Sequence, residues 1–206
     1  GKIVLVQDTA NLLELITTIL TDNGFSVIAA TGVEGALGIV ENHGASLVIT
    51  NVLMPKLDGY VLVQRIRSNP LTAAIPVIFI SDLLVTADDK KFAYSLGGVR
   101  FVDRPVDREE LILTVGEVLA QGISTMPRPM GADDFQRGFR DRLEAVFRHK
   151  STQIARAERL LQISAPQYRE TLQSLLAQAI SDRNQIQQEL EAVYQTLNPL
   201  PPNPGE

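Results

Sequence analysis

Asn51 closes an apolar run, Leu47-Val48-Ile49-Thr50, that reads as a buried strand, and a short loop carries the chain on to Asp58-Gly59. A carboxylate at such a strand end could serve as a nucleophile and as a ligand for a hard cation. An amide is a very poor nucleophile and brings no negative charge to a metal. Out of context, a strand-end asparagine is most simply an Asx-turn former. The second candidate is His149, in Arg148-His149-Lys150-Ser151-Thr152, where the bland account is a solvated histidine on a charged helix face. Gly32, Gly35 and Gly38 have the residue type of a phosphate-cradling loop. Their spacing is wrong and they fall in an amphipathic stretch, so dinucleotide binding is set aside. Asp82, Asp88 and Asp89 read as helix-start carboxylates that favour the dipole. The chain has no cysteine, which excludes disulfides and thiolate metal sites.

The elements that would position these groups come in two kinds. From Lys2 to about Gln121, short apolar runs alternate with amphipathic stretches. Ile3-Val6, Ser26-Ala29, Leu47-Thr50, Val77-Ile80 and Arg100-Val102 are expected as strands, and Ala10-Asp22, Val33-Asn42, Leu57-Ser68, Ala87-Leu96 and Arg108-Ala120 as helices. Asn23-Gly24 and His43-Gly44 have the chemistry of helix C-caps. Five βα units predict an α/β domain over 1–121, a flavodoxin-like doubly wound parallel sheet of five strands.

Gly122 through Gly131, with Pro127 and Pro129, breaks this pattern and predicts a linker over 122–132. Beyond it the period becomes seven. Leu172, Ala179, Ile186 and Val193 form one series, joined by Leu176, Leu190 and Leu197. Phe147, Ile154 and Leu161 form another, with Leu143 and Ala157 beside them. Ser164-Ala165-Pro166 predicts a serine N-cap and a proline in the first turn of a new helix. The result is an all-α helical hairpin over 133–197, followed by a proline-rich tail over 198–206. The first arm is rich in arginine and the second in acids. A lone hairpin leaves apolar surface wet, so a homodimer or a docked neighbour is expected through 133–197.

The chain has 206 residues, 45% of them hydrophobic, enough for one domain and an appendage. A net charge of -5 argues against a nucleic-acid partner held by a basic face. No run is long and apolar enough for a bilayer, so a cytoplasmic protein is expected. A first residue of glycine rather than methionine suggests a piece of a longer protein, with flanking domains to be expected.

The run Leu47 to Pro55, with Met54-Pro55 and then Asp58-Gly59, resembles the receiver domains of two-component response regulators. In that family an aspartate at the position of Asn51 accepts the phosphoryl group. Two acidic residues after the first strand help it hold Mg²⁺, and a hydroxyl after the fourth strand and a lysine after the fifth bind phosphoryl oxygens. The resemblance places Gln7, Asp8, Asn51, Ser81 and Arg104 at these five positions, Phe101 at the aromatic switch, and Pro105 at a peptide bond that is usually cis. Of the three expected carboxylates only Asp8 is present, so Mg²⁺ binding is expected to be weak or absent. Arg104 is expected to pair with Asp8 or to hydrogen-bond the Asn51 amide.

The resemblance implies a pseudo-receiver without enzymatic activity, an interaction module for a protein partner of a signalling pathway. Its recognition face would hold Lys90, Lys91, Tyr94 and Arg108. Three alternatives stand beside it: a working regulator in which Asn51 replaces the aspartate, a fragment of a hybrid kinase or phosphotransfer protein that uses His149, and a transcriptional regulator whose DNA-binding part lies outside these residues.

Overall fold

The five apolar runs pair into one parallel sheet of β1 (Lys2–Val6), β2 (Ser26–Ala30), β3 (Leu47–Asn51), β4 (Val77–Ser81) and β5 (Arg100–Asp103), in the order β2-β1-β3-β4-β5. Its central strands are rich in valine and isoleucine because helices cover both faces, and β3 is buried at every position. The helices between are α1 (Ala10–Asp22), α2 (Val33–His43), α3 (Gly59–Ser68), α4 (Ala87–Ser95) and α5 (Arg108–Gln121). The computed structural model describes residues 1–52, 59–81, 86–122 and 129–197. Met54-Pro55, Leu57, Asp58, Asp82, Pro127, the tail from Asn198 and the side chain of Ser81 therefore lie outside the described residues.

The period of two along the strands sorts the core into two layers. Ile3, Leu5, Leu47, Ile49, Ile78, Ile80 and Val102 meet Ile16, Ile19 and Leu20 of α1 and Leu111, Val115 and Val118 of α5. On the opposite face Phe79 reaches Tyr60 of α3, with ring centroids 5.8 Å apart, and Tyr60 reaches Phe92 of α4 at 5.1 Å. Gly24 and Gly44 close α1 and α2 with φ of +83° and +66°, a backbone region that favours glycine. Asp89 is more than a dipole partner. It is buried in the first turn of α4, where Thr86 donates to it from both its backbone N and its hydroxyl at 2.7 Å.

Arg67 is the largest fully buried side chain of this unit, and backbone carbonyls hold it. Its guanidinium donates to Ala73 O at 3.0 Å, Ile75 O at 2.8 Å and Gly97 O at 2.7 Å. One side chain thus ties the end of α3, the turn before β4 and the turn after α4. Burial pushes its pKa down to about 10, still high enough for a full charge at neutral pH.

The chain divides into two compact units, Gly1–Met130 and Gly131–Glu206. The second is an antiparallel hairpin of α6 (Ala132–Ile163) and α7 (Pro166–Leu197). Leu143, Ile154, Leu190 and Val193 are buried. Towards the start of α6 the buried row runs through Phe135, Phe139 and Val146, and Phe147 is only half-buried beside it. A straight helix drifts against a seven-residue repeat, so the buried row moves by one position. The turn also differs from expectation. Ser164 is the C-cap of α6, its hydroxyl bonded back to Leu160 O, while Pro166 begins α7 directly. Inside the seam Lys150 meets Asp182 at 2.8 Å, a polar pair that can fix the register of the arms. Among the described residues no helix is long and apolar enough to cross a membrane.

Two outcomes follow from these contacts. Arg67→Met leaves three carbonyls without their donor and lowers unfolding free energy by about 3 kcal/mol in urea titrations. A double-mutant cycle of Lys150→Ala and Asp182→Ala yields a coupling of about 1 kcal/mol, and strict additivity would show that the pair contributes nothing.

Candidate functional site

In a parallel sheet the chain leaves β1 and β3, the neighbours at the centre, towards opposite edges, and a crevice opens at their carboxyl ends. Gln7 and Asp8 follow β1, Asn51 ends β3, Ser81 ends β4 and Arg104 follows β5, so one edge of the sheet carries all five. The first and third are deeply buried: Gln7 is 1% exposed and Asn51 2%. Gln7 Oε1 accepts from the Asp8 backbone N at 3.1 Å and, at the long limit of a hydrogen bond, from Asn51 Nδ2 at 3.5 Å. Gln7 Nε2 is buried with no hydrogen-bond acceptor among the described residues. The centre of the site is therefore a pair of neutral amides.

Asp8 is exposed, and its carboxylate accepts the Thr9 hydroxyl at 3.4 Å. Arg104 is half-buried, and the Arg104–Pro105 bond is cis. Among the described residues no three His, Cys, Asp or Glu side chains are grouped so as to hold a metal ion.

The backbone is drawn tightly around the end of β3. Val52 N donates to Ile80 O at 3.2 Å, and Gly59 N donates to Val52 O at 3.2 Å. A Cβ at position 59 would stand 2.0 Å from Asn51 O, so only glycine lets α3 start this close to the strand.

Phe101 connects the sheet to α4. Its ring stacks on Phe79 at 5.4 Å, takes the edge of Tyr94 at 5.2 Å and lies 5.5 Å from the Lys90 ammonium. Lys90 is in turn 2.9 Å from Asp103. Tyr94, Lys91 and Arg108 are exposed. Sequence reading missed Leu113 on α5, which is 66% exposed. The signal was its position off the Leu111, Val115 and Val118 stripe. His149 is exposed on α6, in the other unit.

Three comparisons bear on this arrangement. Residues 3–116 match the family model described as the response regulator receiver domain. The protein named "Probable transcriptional regulator ycf29" of Pyropia yezoensis is 32% identical over 123 residues, 59% of this chain and 54% of that protein. Response regulator Rre1 of Synechocystis is 31% identical over 121 residues, 58% of this chain and 52% of that one. The chain thus spans about half the length of these relatives. Among solved structures, the signal receiver domain of a signal transduction histidine kinase from Syntrophus aciditrophicus superposes with a TM-score of 0.55 at 26% identity, covering 61% of this chain and 94% of that domain.

Gly59→Ala tests the tight approach of α3. The added methyl group meets a backbone oxygen that cannot swing away, and the expected loss is about 2 kcal/mol in denaturant titration, with an unchanged m-value.

Proposed function

We propose that this chain, which belongs to the response regulator receiver domain family, works in two-component signalling as a receiver that communicates without being phosphorylated. The observation that carries the reading is the buried contact of Gln7 with Asn51. Acceptance of a phosphoryl group at this edge needs a nucleophilic oxygen and a divalent cation to neutralise charge. Two neutral amides and one solvent-facing carboxylate do not make a Mg²⁺ site. In this reading Arg104 hydrogen-bonds the Asn51 amide and supplies the positive charge that the cation would otherwise bring.

Output passes through a protein partner on the face that holds Lys90, Lys91, Tyr94, Arg108 and Leu113. The enclosure of Phe101 by Phe79, Tyr94 and Lys90 supports one resting arrangement of that face. A partner that prefers another arrangement would shift the balance by its own differential affinity. The hairpin holds two copies together, and the chain catalyses no reaction. A second reading, output on DNA from a longer protein, is favoured by the printed name of the Pyropia relative.

The test uses acetyl phosphate and Mg²⁺, with labelling read by phosphate-affinity electrophoresis and beryllofluoride titration read by amide NMR. The expected result is no adduct and no saturable shifts near Asn51. Asn51→Asp alone stays unlabelled, whereas the combination of Gln7→Asp, Asn51→Asp and Arg104→Lys gains a hydroxylamine-sensitive label. Labelling of the unaltered chain would overturn the reading. Labelling of Asn51→Asp alone would favour an ordinary regulator altered at one position, and an acid-labile label lost in His149→Ala would favour phosphotransfer.

A further inference from the structure

We infer that Gln64 acts as a clasp: by holding Met130 on α3 it fixes where the chain leaves the receiver unit, and it passes movements of α3 to the first turn of α6. The inference begins with a route. α5 packs with α1 on one face of the sheet, whereas α3 lies on the other, with Tyr60 against Phe79. α5 is closed by Gly122, whose N donates to Val118 O at 2.9 Å and whose φ is +62°. Eight residues later Met130 O accepts a hydrogen bond from Gln64 Nε2 at 2.9 Å. Between these two points the chain passes from the α5 face to the α3 face, and there it is caught. The glycines and prolines of this stretch read as a free tether up to residue 132. Met130 belongs instead to the first compact unit.

The hold is specific to one donor. Gln64 and Met130 are both half-buried, and Gln64 Oε1 is buried with no hydrogen-bond donor among the described residues. Turned over, the amide would set that oxygen against Met130 O, two acceptors in contact, so its orientation is committed to the bond it makes. Beyond the clasp there is no slack. Gly131, the next residue, is the N-cap of α6, and its carbonyl accepts the first helical bond, from Phe135 N at 2.9 Å. No side-chain hydrogen bond secures this cap, so the first turn depends on the residue that leads into it. A displacement of Met130 is therefore a displacement of the cap.

The route has a consequence for signalling. It leaves Lys91, Tyr94, Arg108 and Leu113 exposed on α4 and α5. A partner on that face and the lead-in to the hairpin thus draw on different helices of the receiver unit, and α3 is the one that speaks to α6.

The chain has three methionines, so a methyl-¹³C methionine label gives three signals, and Met130→Leu identifies one of them. In the full chain, Gln64→Leu is expected to move the Met130 methyl to its random-coil position. It is also expected to speed amide exchange at Phe135 about fivefold, the change that one hydrogen bond of ordinary net strength corresponds to, with Gly122 unchanged. Gln64→Glu keeps the size, loses the donor and is expected to do the same, so unfolding of one variant leaves the other. Gln64→Lys, which keeps a donor, is expected to behave as the unaltered chain. Gly59→Ala, which displaces the start of α3, is expected to speed exchange at Phe135 when Gln64 is present and not in Gln64→Leu. A Met130 methyl that stays in place without the Gln64 donor would show that something else holds it, and release of Met130 with Phe135 unchanged would show that the clasp passes nothing to α6. Either result overturns the inference, as does an effect of Gly59→Ala that persists in Gln64→Leu.

Discussion

The contact on which the receiver unit turns is the one between two amides, Gln7 and Asn51, at the buried carboxyl edge of the sheet. Two carboxylates in their place would be like charges a few ångströms apart. At an effective dielectric near 20 and about 4 Å, such a pair repels by about 4 kcal/mol. A site built that way needs a cation to be comfortable. Two amides carry no such repulsion. The Asp8 backbone N and the Asn51 side chain share one acceptor, Gln7 Oε1, at the ends of β1 and β3.

Other contacts of the same unit also favour a fixed arrangement. Arg67 grips two carbonyls, Ala73 O and Ile75 O, in the turn before β4 and a third at Gly97, just after α4. A shift of α4 relative to α3 would have to give up charge-assisted hydrogen bonds in a buried setting, where each is worth more than in water. Lys90 spans from α4 to Asp103 on β5 while resting near the Phe101 ring. In the proposed reading, the guanidinium of Arg67 and the ammonium of Lys90 both favour the arrangement of α4 seen here, the buried one more strongly than the exposed one.

Much of this was legible in the sequence, for physical reasons that differ by element. The strands were legible because apolar runs of four or five residues between turn signals have few other uses in a chain of this composition. The site positions followed because strand ends in a parallel sheet share one edge. The hidden features depend on three-dimensional neighbours. Nothing about Arg67 in Gln64-Arg65-Ile66-Arg67 marks it as the buried arginine rather than Arg65, which is exposed and paired with Glu34. Ser164 could cap either helix on composition, and only its hydroxyl's bond back to Leu160 assigns it to the first. Phe135 and Phe139 lie ahead of the seven-residue repeat, so the period does not mark them as buried.

The hairpin obeys the opposite rule to the receiver unit. There, the buried pair at the sheet edge, Gln7 and Asn51, carries no charge. In α6 and α7, apolar groups have been kept where one chain cannot cover them. An isolated pair of helices has a single seam, and one 32-residue arm would be about 48 Å long at 1.5 Å per residue, much of it beyond the buried stretch. Exposed leucine and isoleucine in water are a standing driving force for association, and association is governed by concentration. In the proposed reading the chain has given up a chemical input, in which one carboxylate is charged and discharged. What varies instead is occupancy: of the face around Tyr94 by a partner, and of the hairpin by a second copy. Both are binding equilibria, and neither requires a reaction at the edge of the sheet.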